Sequence, residues 1–272
     1  MLVYSIVGIW YSTSRKRDNP GTYAVYKFMS LRTALASVLS FTMLTSAIAS
    51  DDKKWTIEFE LGSISTRYNY AQVPNPGGSV VNLRDLFGGD GKLVGRTTLM
   101  YSTQNGSQWK LLYAPLRIKG AGQLTGATQF GGQTFGTGSV DGLYQFNSYR
   151  LTYRKQWRGN WSLGGTLKIR DAEIKLTQGS TVGEEKNVGF VPLMNIYGYG
   201  MINRDIGYEI ELDGLAGGPG RAFDLSMRAT KQLDSRTQVF IGYRILEGGA
   251  DVPRVKNFAW INYLTAGVSV RF

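Results

Sequence analysis

The 272-residue sequence contains no cysteine and no histidine. Without thiols the chain can form neither disulfide bonds nor zinc sites built on cysteine. Without imidazole it lacks the side chain that most often serves as a general base near neutral pH. Thiolate chemistry, histidine-dependent catalysis and metal centres built on these residues are therefore excluded, and we expect no cofactor and no metal.

The sequence also lacks a long apolar segment. It has no run of about 18 apolar residues, so a transmembrane helix is not expected. Glycine and tyrosine are frequent instead, with 35 and 16 residues. This balance is typical of aromatic strands that are joined by glycine-rich loops.

Residues 29–49 have the three parts of a secretory signal peptide. Arg32 supplies the positive start, residues 34–44 form a short apolar core, and Ala47-Ile48-Ala49 is a small-x-small cleavage site. We expect cleavage after Ala49, which makes residues 50–272 the mature chain. We interpret residues 1–28 as an over-extended start that is not part of the mature protein.

The final segment of the chain has the period of a β-strand. From Leu264 to Phe272 every second residue is apolar, and small or polar residues and Arg occupy the positions between. Alternate side chains of a strand point to opposite faces, so this segment has one apolar and one polar face. The same alternation occurs in residues 55–61, 206–213 and 223–230.

Comparable segments divide the chain into ten predicted strands. A count of eight remains open if two weak segments are loops. The third strand is ambiguous, because both of its faces carry apolar residues. The predicted strands are 55–70, 93–102, 109–121, 143–157, 161–175, 188–201, 206–214, 222–233, 237–246 and 258–272.

The connections between these strands alternate between short turns and long, glycine-rich loops. With the alternating last strand and its terminal Phe272, this arrangement resembles small bacterial outer-membrane β-barrel proteins. The resemblance implies an all-β fold over residues 50–272: an antiparallel transmembrane β-barrel with short periplasmic turns and long extracellular loops. It also implies insertion into the cell outer membrane by the barrel-assembly machinery. The predicted long connections are 71–92, 122–142, 176–187 and 247–257, with a shorter one at 215–221.

Segments 113–116 and 246–251 are also similar to segments of other outer-membrane proteins, a similarity that implies no activity. The familiar enzymes of this barrel class, such as omptin-type proteases and lipid A deacylases, use histidine, which this chain lacks. Glu209 and Glu211 could in principle do acid–base work, but carboxylates two apart on one strand face are more typical of a charged lumen. We therefore predict that the protein is not an enzyme.

Aromatic residues cluster at the ends of the predicted strands. Indole favours the membrane interface because its ring is apolar and its N–H needs a hydrogen-bond partner. Most of them adjoin the predicted periplasmic side, and Trp260 begins the last strand at the opposite rim. A soluble core would place tryptophan in the middle of strands. The predicted interface aromatics are Trp55, Trp109, Trp157, Trp161, Trp260 and Phe272.

If the apolar faces contact lipid, the polar faces line the lumen. Closure of the barrel is then expected to bring Arg271 near Glu58 or Glu60, and Arg228 should lie near Glu209 or Glu211. Two functions follow: a narrow channel for small polar or charged solutes, or a non-conducting structural or surface-interaction barrel plugged by ion pairs. The predicted lumen charges are Glu58, Glu60, Arg96, Arg150, Arg154, Lys168, Arg170, Glu209, Glu211, Asp213, Asp224, Arg228, Arg244 and Arg271.

The formal net charge of +11 falls to +7 for residues 51–272, which hold 26 basic and 19 acidic side chains. An exported protein does not meet nucleic acid, so anionic lipid or lipopolysaccharide is the expected polyanion. Arginine pairs with phosphate through two hydrogen bonds, which suits the phosphates of lipid A. The sequence does not indicate an oligomeric state. The predicted lipopolysaccharide contacts are Arg117, Lys119, Arg221, Arg254 and Lys256.

Overall fold

A computed structural model of the protein describes residues 54–272. The predicted over-extended start at 1–28 and the signal peptide at 29–49 lie outside the described residues. Within residues 54–272, no helix has both the length and the apolar character needed to cross a membrane.

This part of the chain consists almost entirely of β-strands. Fourteen strands are present, with one short helix between the second and third. Several are longer than predicted. Their bounds are β1 Trp55–Gln72, β2 Val80–Asn82, α1 Leu83–Phe87, β3 Leu93–Ser102, β4 Ser107–Ala114, β5 Arg117–Leu124, β6 Thr128–Phe130, β7 Gln133–Phe135, β8 Gly138–Arg158, β9 Trp161–Gln178, β10 Thr181–Met201, β11 Ile206–Gly217, β12 Gly220–Gln232, β13 Thr237–Val252 and β14 Val255–Arg271.

The strands form one closed antiparallel barrel. Consecutive wall strands pair with each other, and β14 pairs with β1 from Thr56↔Arg271 to Gln72↔Lys256, which closes the wall. β4 and β5 are the two halves of one wall strand, interrupted at Pro115, and both pair with β8. Proline cannot donate to the strand ladder, which explains the interruption. The predicted ten-strand antiparallel barrel is therefore confirmed.

The outer surface of the wall is an apolar belt. Many wall strands expose large apolar side chains on the outer surface. These side chains alternate with polar side chains that point inward. A soluble protein rarely leaves so large an apolar surface in water, whereas a membrane barrel presents it to lipid. The third predicted strand, whose apolar face was ambiguous, overlaps β4, on which Leu111 points outward and Lys110 points inward. Representative belt residues are Phe59, Leu61, Leu151, Leu167, Met194, Ile241 and Leu264.

The connections at one end of the barrel are short turns, as predicted. In the turn between β12 and β13, the Asp234 carboxylate accepts hydrogen bonds from the backbone N–H groups of Arg236 at 2.7 Å and Thr237 at 2.9 Å. These hydrogen bonds, with the Arg236 N–H as the largest contribution, hold the pKa of the Asp234 carboxyl below its usual range.

Three of the predicted connections at the opposite end are wrong. Residues 176–187, 215–221 and 247–257 are mostly strand, and each hairpin closes through a two-residue turn. The strands extend past the apolar belt, where cross-strand ion pairs replace apolar contacts: Lys186 lies 3.6 Å from Glu173. Sequence alternation weakens there because both faces meet water or polar neighbours.

The two remaining outer connections fold over the barrel mouth. We call residues 73–92 and the β6–β7 hairpin the outer cap. Three backbone hydrogen bonds join its parts to each other and to the β13–β14 hairpin: Ser79 N–H donates to the Gln129 carbonyl at 2.7 Å, Gly131 to Val73 at 3.0 Å, and Asn75 to Pro253 at 2.9 Å.

The helix α1 of the outer cap lies inside the barrel. Leu83 and Phe87 are buried, and the Asn82 side chain caps the helix by accepting from the Asp85 N–H. The helix packs on β5 and β8 at positions that only glycine permits. A Cβ atom at Gly122 would lie 1.8 Å from the Leu86 carbonyl oxygen. The outer half of the lumen therefore holds an apolar core, with Ile64, Leu83, Phe87, Ile118, Phe130, Phe135, Tyr144, Ile261 and Tyr263 among its members.

Candidate functional site

The inner surface of the other half of the barrel carries the charged side chains. Period-2 alternation places Glu58 and Glu60 of β1 on the same inward face, and Arg228 of β12 reaches Glu58 from the other side of the lumen. Acids and bases from different strands therefore meet within one narrow lumen.

A buried layer of ion pairs crosses the middle of the lumen. Arg150 on β8 donates to Asp213 on β11, with Nη1 and Oδ2 2.8 Å apart, and also to Asp224 on β12. Arg244 on β13 binds both carboxylate oxygens of Asp224. We call Arg150, Asp213, Asp224 and Arg244 the central layer. All four are almost completely buried, so each charge depends on its partners for stabilisation.

A second cluster surrounds Glu211, nearer to the short turns. Its Oε1 accepts from Lys110 on β4, from Arg154 at 3.1 Å and from the Asn195 amide at 3.0 Å. Arg154 also lies over the Tyr197 ring, 3.6 Å from its centroid. These contacts reach across the lumen from β4 and β8 to β11.

Glu58 and Glu60 have separate partners. Glu58 lies 2.8 Å from Arg228 across the lumen, and Arg228 also forms the expected pair with Glu209 at 2.6 Å. Glu60 pairs along the wall with Arg96 at 3.0 Å.

Within residues 54–272, Arg271 forms no ion pair with Glu58 or Glu60, although all three line the same cavity. In the closing register Arg271 lies opposite Thr56, at the exposed end of the lumen. The two glutamates are already paired deeper inside the barrel, with Arg228 and Arg96.

Lys168 and Arg170 differ from the other predicted lumen charges. Both point inward from β9, yet neither has a carboxylate within ion-pair distance among residues 54–272. The Lys168 Nζ lies 4.6 Å from the centroid of the Phe146 ring, and Arg170 donates to the Asn187 amide oxygen. The four basic side chains of β8 and β9 therefore form two pairs: Arg150 and Arg154 have carboxylate partners, whereas Lys168 and Arg170 have none within residues 54–272.

Sequence reasoning missed Lys110 and Asn195 as members of the site. Lys110 lies on the strand whose apolar face was ambiguous, so its direction could not be read from the pattern. Asn195 is buried and donates to both Glu211 and Asp213, the latter at 2.7 Å. An uncharged amide gives no signal in a search for lumen charges.

The charged side chains separate two cavities in the lumen. One, of about 310 Å³, lies on the short-turn side and is lined by residues such as Glu58, Lys110 and Arg271. The other, of about 500 Å³, lies on the outer side and is mostly apolar. The central layer lies between them, and the gap beside Arg150 and Arg244 measures only about 10 Å³. A space of that size holds about one water molecule.

The predicted interface aromatics have two kinds of surroundings. Trp55, Trp109, Trp157 and Trp161 are exposed on the outer surface, and Trp55 packs against Tyr101 with ring centroids 4.7 Å apart. Phe272 and Trp55 exchange backbone hydrogen bonds at the closing seam. Trp260 is half-buried beneath Arg67, whose guanidinium lies 4.7 Å from the indole centroid.

The predicted lipopolysaccharide contacts also fall into two groups. Three have acidic partners within the protein: Arg221 with Glu247 at 2.8 Å, Arg254 with Glu185 at 2.7 Å, and Lys256 with Asp251 at 2.8 Å. Arg117 and Lys119, both exposed on β5, have no carboxylate partner among residues 54–272.

The charged side chains of the lumen bind one another through ion pairs and hydrogen bonds. No group of three or more acidic side chains among the described residues is placed to hold a metal ion. The acids of the central layer accept hydrogen bonds from arginine, asparagine and threonine side chains.

The closed barrel and its apolar belt define an integral outer-membrane β-barrel protein. The scan against protein-family models gives no match, and the search of curated proteins gives none either. Similar solved structures include the outer membrane protease OmpT from Escherichia coli, with 10% identity over 80% of this chain and 97% of that chain and a TM-score of 0.49. Neisserial surface protein A has 11% identity over 80% and 97% of the two chains, with a TM-score of 0.32. Ail of Yersinia pestis has 10% identity over 80% and 99%, with a TM-score of 0.35.

Proposed function

We propose that the protein is a non-conducting outer-membrane barrel that acts at the outer surface. The observation that carries this proposal is the central layer, in which Arg150 joins Asp213 and Asp224 across the lumen. An ion that crossed this layer would have to displace buried, paired charges. Losing one partner of such a pair costs roughly 3–5 kcal/mol, which is a large barrier on the path of a small solute.

Single-channel recording in a planar bilayer tests this function. We expect wild-type barrels, shown to be folded by heat-modifiable migration on gels, to give no discrete conductance steps. A variant in which Arg150, Asp213, Asp224 and Arg244 are all changed to alanine removes both signs of charge together and should open a path. Steps in the wild type would contradict a closed lumen, and a folded but silent variant would show that the outer cap closes the barrel as well.

A narrow, charge-selective channel is the second candidate. The charged cavity of about 310 Å³ on the short-turn side favours it, since Glu209 and Glu211 line that cavity. Under this alternative, wild-type barrels conduct, and Glu209→Gln/Glu211→Gln shifts the selectivity toward anions because two negative charges are lost from the wall.

We also propose that the protein has no catalytic activity and reaches the outer membrane by signal-peptide cleavage and the barrel-assembly machinery. The proposal against catalysis is supported by the absence of histidine from the sequence and by the arginine partners of the buried acids. The hydrogen bonds that Phe272 exchanges with Trp55 support a role for the terminal residue in closing the barrel.

Contact with lipopolysaccharide is proposed for Arg117 and Lys119 rather than for the whole outer rim, because these two cations have no acidic partner of their own. We expect Arg117→Gln/Lys119→Gln to lower the amount of lipopolysaccharide that co-purifies with the barrel. The matched control is Arg254→Gln/Lys256→Gln, which removes two cations already neutralised by Glu185 and Asp251. Equal loss from both double variants would argue against a specific contact on β5.

A further inference from the structure

The barrel wall is open between β10 and β11 at its outer end. β10 pairs with β11 only from Met201 to Met194, whereas it pairs with β9 as far as Thr181. β11 continues its own pairing with β12 as far as Gly217. The two strands therefore separate beyond the Met194↔Gly214 pair.

This gap begins at the level of the apolar belt. Phe190 and Val188 point outward from the unpaired part of β10 and are 71% and 68% exposed. Pro192 lies two positions from Met194, the last residue of β10 that pairs with β11. Proline has no N–H group and is found in strands mainly at edges, because it leaves no backbone donor unsatisfied there. The sequence of β10 is thus suited to an edge that faces lipid.

The apolar cavity of about 500 Å³ lies behind the gap. Val191 and Leu215 line it from the two separated strands, and Ile174 and Ile261 line it from inside the barrel. The outward-pointing Phe190 lines it as well, so the cavity continues around the edge of β10 to the outer surface. Its volume lies in the range of roughly 300–1,000 Å³ that is usual for small-molecule sites.

Two cations form the floor of this cavity. Lys168 is only 2% exposed, and its Nζ has no hydrogen-bond acceptor or carboxylate within reach in residues 54–272. The buried Nε of Arg170 has no hydrogen-bond partner either. Buried charges are costly unless they are paired, so an anion that enters the cavity would stabilise these two side chains.

The acids near the cavity do not form ion pairs with Lys168 or Arg170. Glu185 and Glu247 line its rim, but their partners are Arg254 and Arg221. In the central layer, the two acids are already shared by two arginines. Lys168 and Arg170 are therefore two basic side chains without an acidic partner at the floor of the cavity.

We propose that this cavity binds a single-chain amphiphilic carboxylate, such as a long-chain fatty acid, that enters from the outer leaflet between β10 and β11. The carboxylate would pair with Lys168 and Arg170, and the chain would lie along the apolar lining toward the gap. The apolar lining favours an apolar tail, and the buried Lys168 and the partly buried Arg170 favour an anionic head small enough to reach them. This site goes beyond the proposed closed lumen, since conductance and binding are measured separately and either can fail alone.

Equilibrium binding of radiolabelled palmitate tests the site. The full chain, purified from the outer membrane, is placed in phosphatidylcholine nanodiscs, and binding to empty nanodiscs is subtracted. We expect one saturable site per barrel. Unlabelled hexadecanol, which has the same chain without the charge, should compete at least about tenfold more weakly than unlabelled palmitate, because a charge-assisted hydrogen bond is lost.

Variants assign the binding to the cavity. Lys168→Met and Arg170→Gln should each weaken palmitate binding about tenfold, whereas Lys175→Met, on the same strand but outside the cavity, should leave it unchanged. Ala172→Trp places an indole in the cavity and should abolish binding without removing a charge.

Four results would overturn the proposal: no saturable binding above that of empty nanodiscs, equal competition by hexadecanol and palmitate, equal losses in Lys168→Met and Lys175→Met, or undiminished binding by a folded Ala172→Trp barrel. If Lys168→Met does not fold, Ala172→Trp and the comparison of acid with alcohol in the wild type decide the question. An Ala172→Trp barrel that is folded and still binds palmitate would place the ligand elsewhere.

Discussion

Replacing Arg150 with methionine is expected to destabilise the barrel by about 3–5 kcal/mol, the cost of breaking a buried ion pair by removing one partner. Arg150 is the only member of the central layer that contacts two acids from two different strands. Without it, Asp213 keeps only the hydrogen bonds from Thr166 and Asn195, and Asp224 keeps Arg244 alone. Methionine fills much of the vacated volume, so the expected loss is mainly electrostatic.

Urea unfolding of the barrel in lipid vesicles, followed by tryptophan fluorescence, measures this loss. The matched control is Arg158→Met, which removes an exposed arginine at the end of the same strand and should change stability by less than about 0.5 kcal/mol. In the double variant Arg150→Met/Asp213→Asn the uncompensated acid is removed, so part of the stability should return. A small effect of Arg150→Met would mean that the layer is hydrated rather than dry.

Replacing Gly122 with valine is expected to displace the helix of the outer cap. Even the Cβ atom would lie 1.8 Å from the Leu86 carbonyl oxygen and 2.8 Å from its side chain, so β5 and α1 cannot both keep their positions. Overpacking of this kind typically costs about 1–3 kcal/mol, and a backbone contact leaves little room for relaxation. The burial of Leu83 and Phe87 should be lost together with the helix contact.

Limited proteolysis of the barrel in vesicles reports this displacement. We expect cleavage within residues 73–92 to become at least several-fold faster in Gly122→Val, while the rest of the barrel stays resistant. Gly126→Val is the control, because a Cβ atom at Gly126 has no neighbour within 4 Å. Similar cleavage of both variants would indicate that the cap does not depend on the close approach of α1 to β5.

The sequence predicted the barrel itself because its signal is local. Strand period, the apolar outward face and the short turns at one end depend on neighbouring residues, so segments such as 55–61 and 264–272 could be interpreted without a structure. The strands at the outer end of the barrel could not be predicted in this way. In residues 247–257, β13 and β14 are joined by cross-strand ion pairs such as Asp251–Lys256 instead of apolar contacts. Their sequence therefore resembles that of a glycine-rich loop.

On strands with clear alternation, the sequence by itself also determined which residues face the lumen, since alternation assigns each side chain to a face. On β4 both faces carry apolar residues, and the inward direction of Lys110 was known only from the structure. Only the tertiary structure decided the partners of the lumen residues, because pairing across a barrel depends on shear and closure rather than on spacing along the chain. Arg271 illustrates this limit: closure places it opposite Thr56, and the ion-pair partners of Glu58 and Glu60 are Arg228 and Arg96. Lys168 is a second example, in which the structure shows that a lumen charge has no acidic partner within residues 54–272. Its inward direction follows from the sequence, but its lack of an acidic partner and its position at the floor of an apolar cavity follow from the arrangement of β8 to β14 around it.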